Sequence, residues 1–298
     1  MNEYFPIIKV LSLGTISFVV AFLTAPFFVA FLRRAHAGKN IRSVAEAPVF
    51  AHLHEKKKGT PTMGGVLVWA TTLALAAISL LTPLNFVTRS QTWLPLFALF
   101  AAALVGLMDD FFNVHRIGGG GGGLRVRHRL IIYSAIAAVG AWWFYAKLGW
   151  DFLHVPFVGP LMIGAWYIPL FFLVIVATSH SVNVTDGLDG LAGGVLLTSF
   201  TAYGAIAFVQ GKTDLASLCA VIAGALLAFL WFNIHPAQFF MGDTGAMSLG
   251  VTLGIIAMLT NAALLLPIVG SVFVVESLSV IAQVGSKKIR GKKWLLSA

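Results

Sequence analysis

The chain has 298 residues, of which 10% are charged and 58% are hydrophobic. A soluble domain carries about 25% charged residues, so this composition excludes an ordinary soluble protein and indicates a polytopic helical membrane protein. The formal net charge of +9 favours anionic lipid headgroups and anionic substrates as contacts.

Long apolar runs predict the membrane spans, because one helical span needs about 20 apolar residues. We expect about nine of them, near residues 10–32, 62–82, 93–112, 130–147, 161–179, 188–209, 215–231, 244–260 and 263–283. The predicted fold class is all-α, with residues 1–298 forming a single integral membrane domain. Cytoplasmic loops and a tail are expected at 33–61, 109–129, 180–187, 232–243 and 284–298.

Basic residues divide unevenly between the two sides of these spans. If the spans alternate, 16 of the 20 Lys and Arg fall on one side, which the positive-inside rule makes cytoplasmic, with the N-terminus outside. Five acids fall on that same side, namely Asp109, Asp110, Asp186, Asp189 and Asp243. The charge bias common to membrane proteins would explain the basic residues alone, but not this gathering of acids.

The second span begins with the stretch KKKGTPTMGG, in which Lys56–Lys58 run into Gly59 and the hydroxyl residues Thr60 and Thr62. The order of residues is not that of a P-loop. Lysines and hydroxyls beside a glycine-rich helix start can still bind phosphate. A basic membrane anchor is the alternative interpretation.

The third span ends in GLMDDFFN, with Asp109 and Asp110 adjacent at a membrane boundary. Unpaired acids are costly there, and two carboxylates in one site can hold a divalent cation or provide a general base. A solvated helix end is the alternative.

The stretch NVTDGLDGLAGG follows the fifth span. If it is helical, Asn183, Asp186 and Asp189 recur every third residue and form a polar stripe at a helix start. Helix capping by Asp186 is the alternative, although it would explain only one of the acids.

The eighth span is preceded by FNIHPAQFFMGDTG, which contains Asn233, His235 and Asp243. Asp243 could simply cap the following helix. Its place on the same side as four other acids favours a functional role. Together, the acids, lysines and hydroxyls predict magnesium-dependent chemistry on phosphates at the cytoplasmic membrane surface.

These motifs, together with FVVESLSVIAQVGS, occur in one order from about residue 10 to the C-terminus. The set resembles the phospho-N-acetylmuramoyl-pentapeptide transferase family. The resemblance implies transfer of phospho-MurNAc-pentapeptide from UDP-MurNAc-pentapeptide to undecaprenyl phosphate, which yields lipid I and UMP for peptidoglycan synthesis. It further implies Mg²⁺, a multi-pass protein of the bacterial plasma membrane in contact with its lipids, a possible homodimer and no nucleic acid.

The resemblance also assigns roles to residues. Asp243 would be the magnesium ligand, and Asp109 would deprotonate the lipid phosphate with Asp110 beside it. The substrate-binding positions would be Lys57, Thr62, Asn183, Asp186, Asp189 and Asn233.

Several features depart from that family pattern. Asn113 stands where the family often has Lys, and Gly118–Gly123 form a six-glycine run. Arg125, Arg127 and Arg129 follow that run and could supply a basic position. The sequence ends at Ala298, before the family's histidine-rich segment and tenth span, and His180 and His235 are expected to be local hydrogen-bonding residues rather than replacements. We therefore expect little or no transferase activity from this chain as it stands.

Three alternative functions stay open at this level. One is a related polyprenyl-phosphate N-acetylhexosamine-1-phosphate transferase, and another is a catalytically impaired homologue that binds its substrates without turnover. A transporter is the third, but it would place charges near the bilayer midplane, where only Glu276 of the ninth span is expected.

Overall fold

The computed structural model describes residues 4–35, 37–38, 59–117 and 123–290. Its long helices are α1 Phe5–Arg34, α2 Gly65–Ser79, α3 Trp93–Val114, α4 Val126–Trp142, α5 Tyr167–Thr185, α6 Leu191–Val209, α7 Thr213–Asn233, α8 Gly242–Leu259 and α9 Ser271–Arg290. A short helix, Leu266–Val269, precedes α9. A π-helical turn, Trp143–Lys147, extends α4. The prediction of an all-α membrane protein is confirmed.

Each of the nine predicted apolar runs contains helix, but the helices differ in length. Within the described ranges, seven helices are long and apolar enough to cross a membrane. Helix α2 has 15 residues and is therefore about 22 Å long, shorter than a hydrocarbon core of about 30 Å. The ninth run is a broken helix rather than one straight span, because Ala263–Val269 and Ser271–Ser286 meet at an angle of 81°.

A two-stranded antiparallel hairpin, β1 Phe152–Val155 and β2 Gly159–Met162, joins α4 to α5. The sequence did not predict it. The hairpin lies at the end of the bundle where α4 and α8 finish, and the side-chain oxygen of Asn261, just after α8, accepts a hydrogen bond from the His154 amide at 3.1 Å.

Helix α8 is the centre of the bundle, and almost all of its residues are buried. It packs against α2, α3 and α5, while α1 and α6 pack against α7. Glycine, serine and threonine are frequent along α8, and such small residues let neighbouring helix backbones approach closely in a membrane. The first turn of α8 is consequently surrounded by the ends of several other helices.

Candidate active site

The segment that leads into α2 is tied by backbone hydrogen bonds to the segment that leads into α8. The Phe240 amide donates to the Pro61 carbonyl, the Gly64 amide to the Phe240 carbonyl and the Gly65 amide to the Met241 carbonyl, each at 2.8 Å. This pairing places Thr62 beside the start of α8, where its hydroxyl lies 3.3 Å from a carboxylate oxygen of Asp110.

Two carboxylates from other helices bind the N-terminus of α8. Asp110, in the last turns of α3, accepts hydrogen bonds from the amides of Asp243 at 3.1 Å and Thr244 at 3.0 Å. Asp186, just after α5, accepts one from the Gly242 amide at 3.2 Å. The first amides of a helix have no partner within the helix, and its dipole favours negative charge there. Both carboxylates therefore stabilise the first turn of α8.

Gly242 allows this close approach. Its φ is +75°, and a β-carbon at this position would lie 2.5 Å from a carboxylate oxygen of Asp110 and 2.7 Å from the Thr62 hydroxyl. A residue with a side chain would be strained at that backbone angle and would collide with the acid. The first glycine of the GDTG motif is thus required by the geometry of the turn.

Asp243 lies in the first turn of α8, but its carboxylate points away from the helix amides. It accepts hydrogen bonds from the two terminal nitrogens of the Arg129 guanidinium, at 3.1 and 2.9 Å. It also accepts one from the side-chain nitrogen, Nδ2, of Asn183. Arg129 also donates to the Asn183 side-chain oxygen at 3.0 Å. A simple capping role for Asp243 does not account for these contacts.

Arg129 also joins Asp243 to Asp109. Its guanidinium lies 2.7 Å from Asp109, whose carboxylate additionally accepts a hydrogen bond from the Leu124 amide. Asp109 is fully buried, and the Arg129 side chain is 20% exposed. Because a buried carboxylate is costly without a counter-charge, Arg129 provides the compensation. Two carboxylates thus share one guanidinium.

Two further predicted site residues, Asp189 and Asn233, connect the turn before α6 to the segment after α7. Asp189 lies 3.0 Å from the Nδ1 atom of His235. Asn233 accepts a hydrogen bond from the Gly190 amide at 3.0 Å and donates one to the Phe239 carbonyl at 2.8 Å. His235 is thus a local hydrogen-bonding residue, as expected.

The predicted polar stripe at a helix start is wrong. Asn183 lies in the last turn of α5, whereas Asp186 and Asp189 lie in the turn between α5 and α6. The helix ends at Thr185, and Gly190 precedes α6 with a φ of +76°. A left-handed residue breaks helical periodicity, so the three side chains point toward different partners.

Arg129 is one of three arginines in the sequence that could supply a basic position, and the sequence alone does not distinguish between them. Arg125 and Arg127 are exposed, while Arg129 is half-buried and points toward the acids. In the sequence, the only sign that Arg129 belongs to the site is its position in the first turn of a helix that follows a glycine-rich loop. Lys57 and most of the glycine run lie outside the described residues.

The oxygen ligands present fit magnesium. Among the described residues, no group of three or more His, Cys, Asp and Glu side chains is arranged to hold a metal ion. Magnesium is commonly bound by only one or two carboxylates, with substrate phosphates and water completing its shell. Asp243, which contacts Arg129 rather than the amides of its own helix, supplies a carboxylate of this kind.

Carboxylates, an amide and a guanidinium thus converge at one end of an apolar helix bundle, an arrangement suited to binding charged groups. The profile of glycosyl transferase family 4 matches residues 92–261. The chain belongs to this family of transferases, as the sequence motifs predicted.

Curated relatives carry a more specific name. The proteins named phospho-N-acetylmuramoyl-pentapeptide-transferase from Chloroflexus aggregans and Geobacillus sp. (strain WCH70) are 39% and 41% identical to this chain, over 293 and 281 residues. These alignments cover 96% and 93% of the chain, and 77% and 83% of the relatives. A protein of the same name from Moorella thermoacetica is 40% identical over 285 residues.

Proposed function

We propose that the chain transfers phospho-MurNAc-pentapeptide from its UDP carrier to undecaprenyl phosphate, forming lipid I and UMP. The observation that carries the proposal is the Arg129 guanidinium shared by Asp109 and Asp243, in a chain whose relatives are named for this transfer. An oxygen of the acceptor phosphate forms a bond to the sugar-linked phosphorus. The bond from that phosphorus to the bridging oxygen breaks, and UMP leaves with that oxygen.

The residues of the site can position these phosphates. A guanidinium binds phosphate oxygens in pairs, so Arg129 would exchange a carboxylate for the diphosphate of the donor. Asp109 would then be released to accept the proton of the acceptor phosphate, as the family resemblance implies. Asp243 would hold magnesium, which when bound neutralises charge that develops on the phosphates.

The remaining assignments follow the same proposal. The donor would contact Lys57, Thr62, Asn183, Asp186, Asp189 and Asn233. The site would face the cytoplasm, in a bacterial plasma membrane with the N-terminus outside, because most basic residues fall on that side. The single-domain division of the chain and its homodimerisation stay predictions.

The test uses the purified full chain in lipid nanodiscs that contain undecaprenyl phosphate. UMP release is measured with UDP-MurNAc-pentapeptide and magnesium, and then with the acceptor omitted or with a chelator added. UDP-GlcNAc replaces the donor in a parallel reaction. Release that needs the acceptor, magnesium and the muramoyl donor supports the proposal. Release with UDP-GlcNAc alone assigns a different donor, and donor binding without any release identifies a binding homologue.

Asp243→Asn tests the proposed ligand. The change removes the negative charge of the proposed magnesium ligand, so UMP release is expected to fall by about 10²–10³. The magnesium concentration needed for the remaining activity is expected to rise. Asp110 and Asp186 continue to bind the first amides of α8, so the unfolding temperature should change little. Asp151→Asn, at the opposite end of the bundle, is the matched control. Unchanged turnover at an unchanged magnesium optimum would remove Asp243 from the proposed mechanism.

A further inference from the structure

The tip of the β1–β2 hairpin exposes apolar side chains at the end of the bundle opposite the acids. Phe157 and Val158 are 109% and 80% exposed, and Leu161 and Met162 of β2 are 52% and 68% exposed. Residues 152–185 contain no Asp, Glu, Lys or Arg. A connecting loop in water is ordinarily polar, so the composition of this hairpin is typical of an apolar or interfacial environment.

The backbone conformation of the tip also favours an apolar or interfacial environment. The Val158 amide donates a hydrogen bond to the Val155 carbonyl at 3.1 Å, which closes a four-residue turn with Pro156 and Phe157 at its centre. Phe157 has a φ of +66°. With Pro at the second position of a turn, a positive φ at the third is ordinarily supplied by Gly or Asn. Phe157 is thus a bulky aromatic residue at a position that favours glycine, and its side chain is directed outward.

The base of the hairpin is held firmly. The Asp151 carbonyl accepts hydrogen bonds from the amides of Ile163 and Gly164, both at 2.8 Å, and Leu153 is buried against the bundle. Trp150 packs edge-on against Phe144, with ring centroids 5.4 Å apart. The tip is therefore presented from a fixed base.

Exposed tryptophans lie in the chain on both sides of the hairpin. Trp142, in the last turn of α4, and Trp166, just before α5, are 53% and 76% exposed and flank the hairpin in the chain. Tryptophan is enriched where membrane spans reach the headgroup region. The hairpin thus connects two spans at the level where such residues meet the bilayer interface.

We propose that the hairpin tip, Phe157 and Val158, inserts into the phospholipid bilayer at the end of the bundle opposite the acids. There it anchors the α4–α5 connection at the boundary between headgroups and acyl chains. Apolar side chains of interfacial segments are buried about 5–10 Å into this region. Insertion removes Phe157 from water and leaves the strained turn in place. The proposal is independent of the transferase reaction.

The test places an environment-sensitive nitrobenzoxadiazole fluorophore on Phe157→Cys in the full chain, reconstituted in phospholipid nanodiscs. Cys219 is fully buried, and the parent chain treated with the same reagent measures any labelling there. Ser90→Cys is the matched control, because Ser90 is exposed in the α2–α3 connection at the same end of the bundle. Quenching is measured with nitroxide-labelled lipids and with aqueous iodide.

We expect the label at position 157 to emit at shorter wavelength than the label at position 90. It should be quenched strongly by nitroxide lipids and several-fold less by iodide. Equal iodide quenching at the two positions, without lipid quenching at 157, would overturn the proposal in favour of a solvated tip. A blue-shifted label that lipid does not quench, but that transfers energy to a label on another copy, would overturn it in favour of contact between two chains.

Discussion

Asp109 and Asp110 are adjacent in the sequence but have different partners. Successive residues of an α-helix point about 100° apart, so Asp109 points toward Arg129 while Asp110 points toward the first amides of α8. One acid lies in a charge cluster, and the other caps a neighbouring helix. Their contacts lead us to expect that the two acids differ in what they contribute to catalysis and stability.

Asp110→Ala should lower stability more than it affects the chemistry. Loss of a helix-capping side chain costs about 1 kcal/mol, whereas Asn caps a helix about as well as Asp. We therefore expect Asp110→Ala to lower the unfolding temperature and Asp110→Asn to restore most of it. Asp109→Asn should reduce UMP release far more than Asp110→Asn, at similar unfolding temperature. Equal loss of turnover in the two Asn variants would show that both acids take part in the reaction.

Arg129→Lys preserves the charge but not the geometry. Arg129 contacts both carboxylate oxygens of Asp243 together with Asp109 and Asn183. An ammonium group is a point charge and cannot reproduce this planar, paired arrangement. We expect UMP release to fall by about 10-fold or more.

Arg127→Lys is the matched control for this change, because Arg127 is exposed on the same helix. It should leave UMP release unchanged. If Arg129→Lys retained full turnover as well, charge alone would suffice at this position, and paired phosphate binding would be refuted.

The sequence predicted which residues gather but not their partners. Asp110, Asp186 and Asp243 were placed on one side of the membrane by topology, and the structure brings them to one helix end. That Asp110 rather than Asp243 binds the amides of α8 depends on how α3 and α8 pack. Packing between distant segments is not encoded in local spacing, so capping and charge-pairing roles could not be separated beforehand.

At the scale of elements, the central position of α8 depends on small residues. A β-carbon added to Gly65 of α2 would collide with the backbone of Gly245 of α8, so these helices touch directly. Close contacts of this kind give membrane helices van der Waals packing without an aqueous hydrophobic effect. The α2–α8 contact also fixes the segment that carries Thr62.

Gly65→Ala should therefore lower the unfolding temperature, since α2 and α8 must separate to admit the methyl group. Overpacking of this kind costs about 1–3 kcal/mol. Gly194→Ala is the control, because a β-carbon there meets nothing within 4 Å, and Ala favours a helix over Gly by about 1 kcal/mol. A lower unfolding temperature for Gly194→Ala than for Gly65→Ala would contradict this account of α8.

Hydropathy located the helices well but missed what interrupts them. The runs near 93–112 and 244–260 correspond closely to α3 and α8. The hairpin has strands of four residues each, too short for a period-two pattern to be read reliably. The bend in the ninth run falls at Gly270, between Val269 and Ser271, and a single glycine in an apolar run does not by itself reveal an angle.

At the scale of the whole molecule, the end opposite the acids has its own charge pair. Lys9 of α1 lies 2.6 Å from Asp214 in the first turn of α7 and donates to the Asn85 carbonyl, also at 2.6 Å. The contacts join α1, α7 and the α2–α3 connection, so one ion pair ties together elements that are far apart in the sequence.

Lys9→Met should destabilise the whole bundle. The side chains of Lys9 and Asp214 are 9% and 21% exposed, and removing one member of a largely buried pair leaves the other charge without compensation. Because Asp214 keeps some contact with water, we expect a loss on the order of 2 kcal/mol rather than the larger cost of a fully buried pair. Thermal unfolding of the full chain in nanodiscs measures the change.

A double-mutant cycle separates the pair from the packing of its parts. Lys9→Met combined with Asp214→Asn should be more stable than the sum of the two single effects predicts, because the second change removes the stranded charge. Turnover per folded molecule should match that of the parent, since the pair lies at the end of the bundle opposite Asp109 and Asp243. If the single effects simply add, the ion pair does not couple α1 to α7. If turnover falls while the protein stays folded, the ion pair at one end of the bundle is coupled energetically to the site at the other end.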